Sequence, residues 1–281
     1  MKTKLVFITT LAIAANLNAQ TQKISAEYSF INQNAEYYLF NSKEVNDTFN
    51  VYVKLPTNYT SSNSKYPVLY VLDGDIAYFV ACGVTPHLLL GGHIPEIIIV
   101  GIGYGSLNAG PGGKNNRMRD YSPTQIPEDP RTGKANRFLS FLKKELIPFV
   151  DKNYKTDTTN RAIEGHSMGG LFATYALFSE TRLFNKYIIS SPTVSWDNKA
   201  IFKDEETYSH HNAELKADVF ISFGSDEGEK FQPENVNEMI SKIKSRNYSG
   251  LNLTTRIFDK GGHFTVPSEA LNYGLVAVFH K

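Results

Sequence analysis

A serine between glycines, in the segment Gly165-His166-Ser167-Met168-Gly169, is the feature of this chain that most directly indicates chemistry. Residues 161–164 have the composition of a short strand, and apolar residues recur at helical spacing through residues 170–179. A serine at a sharp strand-to-helix turn exposes its hydroxyl, and the start of the following helix favours negative charge there. The pattern therefore predicts that Ser167 is a nucleophile, which needs a base and an acid from elsewhere in the chain.

The predicted base is His263, because it follows a strand near the end of the chain. Apolar and polar residues alternate through residues 251–258, as in a strand, and Gly261-Gly262-His263 follows. This position suits a site whose residues occur along the chain in the order serine, acid, histidine. The pair His210-His211 has no carboxylate or cysteine at the spacing of a metal site. The sequence therefore predicts neither a metal nor an organic cofactor.

The predicted acid lies in the loop after residues 219–223, another strand-like segment, where three carboxylates occur close together. Glu227, three residues after Gly224, is favoured because this spacing is usual for the acid of such a loop. Asp226 and Glu229 are the alternatives in the same loop, and a serine–histidine dyad without an acid is a further alternative. The sequence leaves this choice open.

An oxyanion hole for the reaction requires two backbone N–H groups. Met168, directly after the serine, is predicted to supply the first. The loop after the apolar segment of residues 67–72 is predicted to supply the second, from Asp75 or alternatively from Gly74.

The elements that must position these residues alternate between strands and helices, which predicts an α/β fold with a mostly parallel central sheet covered by helices on both faces. Residues 103–133 lack periodicity, and a loop of this length is usually functional or mobile. The predicted strands are residues 49–55, 67–72, 97–102, 161–164, 187–189, 219–223 and 251–258. The predicted helices are residues 77–90, 138–149, 170–179, 236–243 and 268–280. Residues 20–48 are predicted to form an edge hairpin, and residues 193–217 are predicted to be an irregular insert.

The first nineteen residues have the pattern of an export signal, with Lys2 and Lys4 before an apolar segment and Ala19 at a cleavage site. The prediction is a signal peptide at residues 1–19, a single domain at residues 20–281 and a periplasmic or secreted protein. Removing the signal takes away two lysines and no acid, so 27 basic residues face 28 acidic ones. This balance argues against nucleic acid as a partner, and no later segment is apolar enough to span a membrane.

Six segments occur in the order known from one enzyme family, and together they cover most of residues 45–281. They are Leu72-Asp73-Gly74, Arg119-Asp120-Tyr121-Ser122-Pro123, residues 165–173, Ile189-Ser190-Ser191-Pro192, Gly224-Ser225-Asp226-Glu227 and Gly262-His263. On these segments the chain resembles the putative-esterase family of α/β-hydrolases. That family includes siderophore esterases of the enterochelin type, feruloyl and acetyl-sugar esterases, S-formylglutathione hydrolases and mycolyltransferases.

The resemblance is strongest to the branch that hydrolyses ferri-catecholate triesters, because residues 117–123, 190–196 and 262–267 match its motifs. It implies a serine carboxylic ester hydrolase that acts on a small-molecule or oligosaccharide ester. Members of that branch often have a basic rim, whereas this chain is near neutral. Arg119, with Lys114 and Arg117, is expected to form a local cationic patch, and Trp196 is expected to stack on an aromatic acyl group.

Two alternatives to siderophore ester hydrolysis follow from the same residues. Within esterases, the substrate is a feruloyl or acetyl-sugar ester of plant polysaccharide. In a different class, the acyl-enzyme passes its acyl group to an alcohol, which makes the protein an acyltransferase. A binding protein that has lost turnover is disfavoured because Ser167 and His263 are both present.

Overall fold

An eight-stranded sheet forms the centre of the protein in the computed structural model, which describes residues 32–110, 112–179 and 182–279. The predicted signal peptide at residues 1–19 lies outside the described residues. The strands are β1 (Ala35–Ser42), β2 (Asp47–Lys54), β3 (Tyr66–Val71), β4 (Ile98–Gly103), β5 (Thr156–His166), β6 (Lys186–Ser190), β7 (Glu214–Gly224) and β8 (Ser249–Phe258). Their order across the sheet is β1-β2-β4-β3-β5-β6-β7-β8. The pairs β1–β2 and β2–β4 are antiparallel and the other pairs are parallel.

Helices cover both faces of this sheet. The helices are α1 (Gly74–Leu90), α2 (Arg117–Tyr121), α3 (Ala135–Phe141), α4 (Ile147–Asn153), α5 (Met168–Ser179), α6 (Trp196–Lys199), α7 (Ile201–His211), α8 (Pro233–Arg246) and α9 (Pro267–Phe279). Helices α1 and α9 pack on one face, while α3, α4, α5 and α8 contribute to the larger core on the other. The predicted architecture is therefore confirmed. In the part of the chain that the structure describes, no helix is both long enough and apolar enough to cross a bilayer.

The central strands are apolar at consecutive positions because both of their faces are buried. In β3, Val68 and Tyr70 belong to the larger core, whereas Leu69 and Val71 belong to the core beneath α1 and α9. Successive side chains of a strand point to opposite faces, so a strand between two helical layers needs apolar residues at every position. This explains the apolar segments of the sequence.

The prediction of an irregular insert at residues 193–217 was wrong, because α7 lies within it. The helix lacks an apolar stripe because one of its fully buried side chains is Glu205. The Glu205 carboxylate accepts hydrogen bonds from Arg246 Nε at 2.9 Å and from the Tyr248 hydroxyl at 3.0 Å. A buried charge is tolerated when it is paired in this way. Because Glu205 takes a position that is usually apolar, the helix lacks the hydrophobic periodicity by which helices are predicted from sequence.

The single helix predicted at residues 138–149 is also wrong in detail. A π-helical segment, Leu142–Leu146, separates α3 from α4. Pro148 lies in the first turn of α4, where its missing N–H removes a main-chain donor to the preceding turn. Apolar side chains still line one face through all three segments, which explains why the sequence pattern is continuous.

Candidate active site

The three predicted catalytic residues follow the carboxyl ends of three parallel strands of one sheet. Ser167 comes directly after β5, Glu227 follows β7, and His263 follows β8. Carboxyl ends of parallel strands lie at the same edge of a sheet, where such folds place their ligands. The order of the strands thus brings together side chains that are up to 96 residues apart in sequence.

Ser167 is the only residue between β5 and α5, and its backbone is left-handed with φ 60°. This conformation is unusual for a residue other than glycine and is typical of functional turns. The turn also requires Gly165, because a Cβ atom there would lie 2.3 Å from the carbonyl oxygen of Gly169. The flanking glycine therefore allows the strand and the helix to approach closely enough to expose the serine.

A continuous chain of hydrogen bonds links the three side chains. The Ser167 hydroxyl lies 3.0 Å from His263 Nε2, and His263 Nδ1 lies 2.8 Å from Glu227 Oε2. His263 is 4% exposed and Glu227 is 6% exposed, so water has little access to these bonds. An Nδ1–H that donates to the carboxylate leaves Nε2 free to accept the serine proton.

The structure brings Glu227, and neither of the other two acids, to the histidine. Asp226 turns away, and its carboxylate accepts a hydrogen bond from the Ser225 hydroxyl at 3.0 Å. Glu229 is exposed. Glu227 also accepts hydrogen bonds from the Gly224 N–H at 2.7 Å and from the Ser191 hydroxyl, a contact that the sequence did not indicate.

These hydrogen bonds favour the ionised form of Glu227. Burial alone would raise the pKa of this carboxyl group. Hydrogen bonds from His263, the Gly224 N–H and the Ser191 hydroxyl outweigh burial and hold the pKa below its usual value. Glu227 is therefore a carboxylate when the histidine is neutral, as the role of an orienting acid requires.

The loops that carry the acid and the histidine are joined by main-chain hydrogen bonds. The Ser225 N–H donates to the Phe258 carbonyl and the Asp226 N–H donates to the Gly261 carbonyl, each at 2.9 Å. A Cβ atom on Gly224 would lie 2.1 Å from the Gly261 oxygen, so the approach requires glycine. The two loops therefore fix each other's position and with it the distance between Glu227 and His263.

Phe231 is a further neighbour of the histidine that the sequence did not indicate. Its ring stacks on the His263 imidazole with centroids 3.6 Å apart and planes within 5° of parallel. An aromatic face attracts a cation, so this stack favours the imidazolium that forms when the histidine takes a proton. It also restricts rotation of the imidazole about its side-chain bonds.

We expect Phe231→Leu to lower kcat/KM for ester hydrolysis by about three- to thirtyfold, because the aromatic face is lost while an apolar side chain remains. Phe231→Tyr keeps the ring and should retain most of the activity. The measurement is the pH profile of kcat/KM for the three proteins. Equal profiles and rates for the leucine variant and the unmodified protein would show that the stack has no catalytic effect.

The two predicted donors of the oxyanion hole lie at the starts of two helices. Met168 is the first residue of α5, and Asp75 is in the first turn of α1, one residue after Gly74. The first N–H groups of a helix have no partner within it, so they can bind a developing negative charge. The Asp75 carboxylate is held by the Tyr104 N–H at 2.6 Å and the Tyr52 hydroxyl at 2.5 Å.

A cavity of about 460 Å³ opens beside Ser167 between α1 and α9. Most of its lining is apolar, and its polar residues include carboxyl groups and one arginine. One of them, Arg117, forms two hydrogen bonds to the Asp73 carboxylate, at 2.8 and 2.9 Å. The lining comprises Leu72, Asp73, Asp75, Ile76, Ala77, Val80, Leu107, Ala109, Asn115, Arg117, Glu164, His166, Ser167, Phe264, Pro267 and Leu271.

The structure does not bring Arg119 or Trp196 to this cavity. Arg119 forms ion pairs with Asp120 at 2.8 Å and with Asp47 at 2.9 Å, so its charge serves to hold the loop. The indole Nε1 of Trp196 donates a hydrogen bond to the Thr124 carbonyl at 3.2 Å. Neither residue lines the cavity, so their predicted substrate contacts stay predictions. Because Arg117 is also ion-paired, the expected cationic patch is largely neutralised.

His166, next to the nucleophile, supports the site without belonging to the hydrogen-bonded chain. Its Nδ1 lies 3.1 Å from the Ser190 hydroxyl, and its ring centroid lies 4.5 Å from that of His263. Burial, with a smaller contribution from His263, lowers the pKa of His166 to about 3. It therefore stays neutral at ordinary pH. Among the described residues, no group of three or more ligating side chains could hold a metal.

Glu164 is a buried carboxyl group on β5, three residues before the nucleophile and in the lining of the cavity. It is 3% exposed, and its Oε2 has no hydrogen-bond partner within the described part of the chain. Burial, with a smaller contribution from Asp73, raises the pKa of Glu164 to about 8. The group is therefore mostly an uncharged carboxylic acid at pH 7.

This pKa predicts that the protein loses stability as the pH rises. Between the usual value of 4.5 and about 8, the folded chain keeps a proton on Glu164 that the unfolded chain has released. The free energy of unfolding therefore falls through this window and is unaffected by Glu164 below it.

We expect Glu164→Gln to remove this loss, because an amide does not titrate. The variant should gain stability relative to the unmodified protein by about 2–4 kcal/mol between pH 5 and pH 8.5. Thermal unfolding midpoints of both proteins across this range provide the measurement. If the unfolding midpoints of the two proteins differ by the same amount at every pH, the assignment of a raised pKa to Glu164 is contradicted.

Comparisons with known proteins agree with this geometry. A family model described as "Putative esterase" matches residues 42–263. Ferri-bacillibactin esterase BesA of Bacillus subtilis is 26% identical over an alignment that covers 85% of this chain and 89% of that protein. A siderophore triacetylfusarinine C esterase of Aspergillus fumigatus is 26% identical over 75% of this chain and 73% of its own length.

The fold is also that of a solved relative. The crystal structure of the BES protein from Bacillus cereus superposes with a TM-score of 0.80 at 28% sequence identity, and the match covers 95% of this chain and all of that one. The family model includes Ser167, Glu227 and His263, and it covers most of the chain. The protein therefore belongs to the putative esterase family and is an esterase with the α/β-hydrolase fold.

Proposed function

We propose that this protein is a serine esterase that hydrolyses the ester bonds of a catecholate triester siderophore in its ferric form. The observation that carries the mechanism is the chain of hydrogen bonds from Ser167 through His263 to Glu227, with distances of 3.0 and 2.8 Å. The similarity to the ferri-bacillibactin esterase and to the triacetylfusarinine C esterase supports the substrate class.

In the first half of the reaction, Ser167 Oγ attacks the ester carbonyl carbon and its proton passes to His263 Nε2. Glu227 stabilises the imidazolium through its hydrogen bond to Nδ1. The carbonyl oxygen becomes an oxyanion that the N–H groups of Met168 and Asp75 stabilise. When the C–O bond to the alcohol breaks, His263 returns the proton to the departing oxygen, and an acyl group stays on Ser167.

In the second half, water replaces the alcohol. His263, again neutral, takes a proton from the water as its oxygen attacks the acyl carbon. Collapse of the second tetrahedral intermediate returns that proton to Ser167 and releases the carboxylic acid. An alcohol in place of this water would make the same acyl-enzyme an acyltransferase, so the acceptor is a separate measurement.

The substrate is tested with a panel assayed by kcat/KM on the purified protein. The panel contains a ferric catecholate triester, its iron-free form, methyl ferulate and an acetylated xylo-oligosaccharide, each with and without an added alcohol. We expect a preference of at least about a hundredfold for the ferric triester and hydrolysis faster than acyl transfer. A preference for methyl ferulate or the acetylated sugar would move the protein to polysaccharide degradation.

We further propose that the reaction takes place in the periplasm or outside the cell, because residues 1–19 have the pattern of a cleavable export signal. The mass of the protein recovered from the native cell should correspond to a chain that begins at Gln20. Recovery of the full-length chain from the cytoplasm would contradict this proposal.

A further inference from the structure

The cavity beside Ser167 combines an apolar wall with the polar residues Glu164 and His166 of β5, each of which has a buried side-chain atom without a partner among the described residues. The wall comes from α1 and α9 through Ile76, Val80 and Leu271. Glu164 projects to the same side of the sheet, because Ala162, two residues earlier on β5, packs in the core beneath these helices. The volume of about 460 Å³ is sufficient for an aromatic ring with a short side chain.

Nothing within the described residues satisfies the Glu164 side chain completely. Its Oε2 is buried without a partner, although leaving a buried polar atom unpaired costs about 1–3 kcal/mol. The lining includes the cation Arg117, but its guanidinium already binds the Asp73 carboxylate at two points. The catalytic steps above make no use of Glu164. A buried, unpaired polar atom on a residue that lines a cavity beside the nucleophile points to a partner on the ligand.

The charges around the cavity determine what kind of partner fits. Asp73 and Asp75 both contribute to the lining, Arg117 is paired, and His166 is neutral. An anionic group would therefore meet carboxyl groups without a free cation. A carboxylic acid, by contrast, offers one O–H donor and one carbonyl acceptor, which matches a hydroxyl that both accepts and donates.

We propose that Glu164 determines specificity by binding an uncharged hydroxyl group, carried on an apolar body such as a phenol ring, inside the cavity between α1 and α9. The inference rests on the proposed function only in that Ser167 acts on an ester. The catechol oxygens of a ferric triester are ionised and coordinate iron, so they would lie outside the cavity. The hydroxyl that Glu164 binds is therefore one that does not coordinate iron.

Binding of two small probes to Ser167→Ala protein tests the proposal without requiring turnover. The probes are 4-ethylphenol and ethylbenzene, which differ only in the hydroxyl, and affinity is measured by NMR titration at pH 6.5. We expect 4-ethylphenol to bind about tenfold more tightly than ethylbenzene. Adding Glu164→Leu should abolish this preference or reverse it, whereas adding Glu96→Gln, which changes a glutamate outside the lining, should leave it unchanged.

Equal binding of the two probes, binding of neither, or a preference that survives Glu164→Leu would overturn the proposal. If the leucine variant does not fold, a crystal structure of Ser167→Ala protein with 4-ethylphenol decides the question. The phenol oxygen should lie within hydrogen-bond distance of the Glu164 carboxyl group, and a hydroxyl that points to the cavity mouth would contradict the assignment. Failure of the proposed siderophore function would appear in the substrate panel alone, because neither of these measurements depends on that substrate.

Discussion

Ser167→Ala should lower kcat/KM for ester hydrolysis by at least about 10⁴-fold, the largest effect expected of any single substitution in this chain. The hydroxyl lies 3.0 Å from His263 Nε2, and no other hydroxyl is as close to that nitrogen within the described residues. Without it no acyl-enzyme can form, and only the oxyanion hole and substrate binding remain to accelerate attack by water. The activity that remains is measured by initial rates on a 4-nitrophenyl ester.

Ser241→Ala is the matched control, because this serine lies on the exposed side of α8 and its hydroxyl donates a hydrogen bond to the Asn237 carbonyl of the same helix. The control should keep the full rate. Labelling with an organophosphonate, followed by mass spectrometry, should add one group to the unmodified protein and none to Ser167→Ala. A Ser167→Ala variant that retains activity within tenfold of the control would rule out the serine mechanism.

Glu227→Gln should lower kcat/KM by about 10³- to 10⁴-fold while the fold is kept. The amide oxygen can still accept the hydrogen bonds from the Gly224 N–H and the Ser191 hydroxyl. The amide NH₂ then faces His263 Nδ1, which must become an acceptor. This moves the imidazole proton to Nε2, where it blocks transfer of the serine proton, and it also removes the charge that stabilises the imidazolium.

Asp226→Asn is the comparison that separates the acids of this loop. Its side chain contacts Ser225 and not His263, so we expect kcat/KM within about threefold of the unmodified protein. A large loss in Asp226→Asn together with a small loss in Glu227→Gln would assign the acid to Asp226. Small losses in both variants would favour a serine–histidine dyad.

Much of the site could be predicted because its residues depend on local sequence. The glycines around Ser167 are required by close backbone approach at a strand-to-helix turn, and such turns have a short, recognisable sequence. His263 follows a strand and two glycines, which again is a local pattern. The acid was harder to predict because Asp226 and Glu227 are adjacent, and only the conformation of the loop decides which one faces the imidazole.

Other features of the site and fold depend on contacts that sequence spacing does not report. Phe231 precedes His263 by 32 residues, and nothing in its neighbourhood indicates that the two rings stack. Glu164 occupies an ordinary strand position whose burial arises only when α1 and α9 cover the sheet. Helix α7 was missed because Glu205 takes a position that an apolar residue would normally fill, and its partners come from around α8.

Among the described residues, strand β8 is the last strand of the sheet and pairs on one side only, with β7. The histidine therefore depends on a boundary element, whereas the nucleophile follows β5, which lies between β3 and β6 near the middle of the sheet. Opening at a boundary costs less free energy than opening the interior, because fewer contacts are lost. We therefore expect His263 to separate from Ser167 in a local opening, so that activity is lost at a lower denaturant concentration than the rest of the fold.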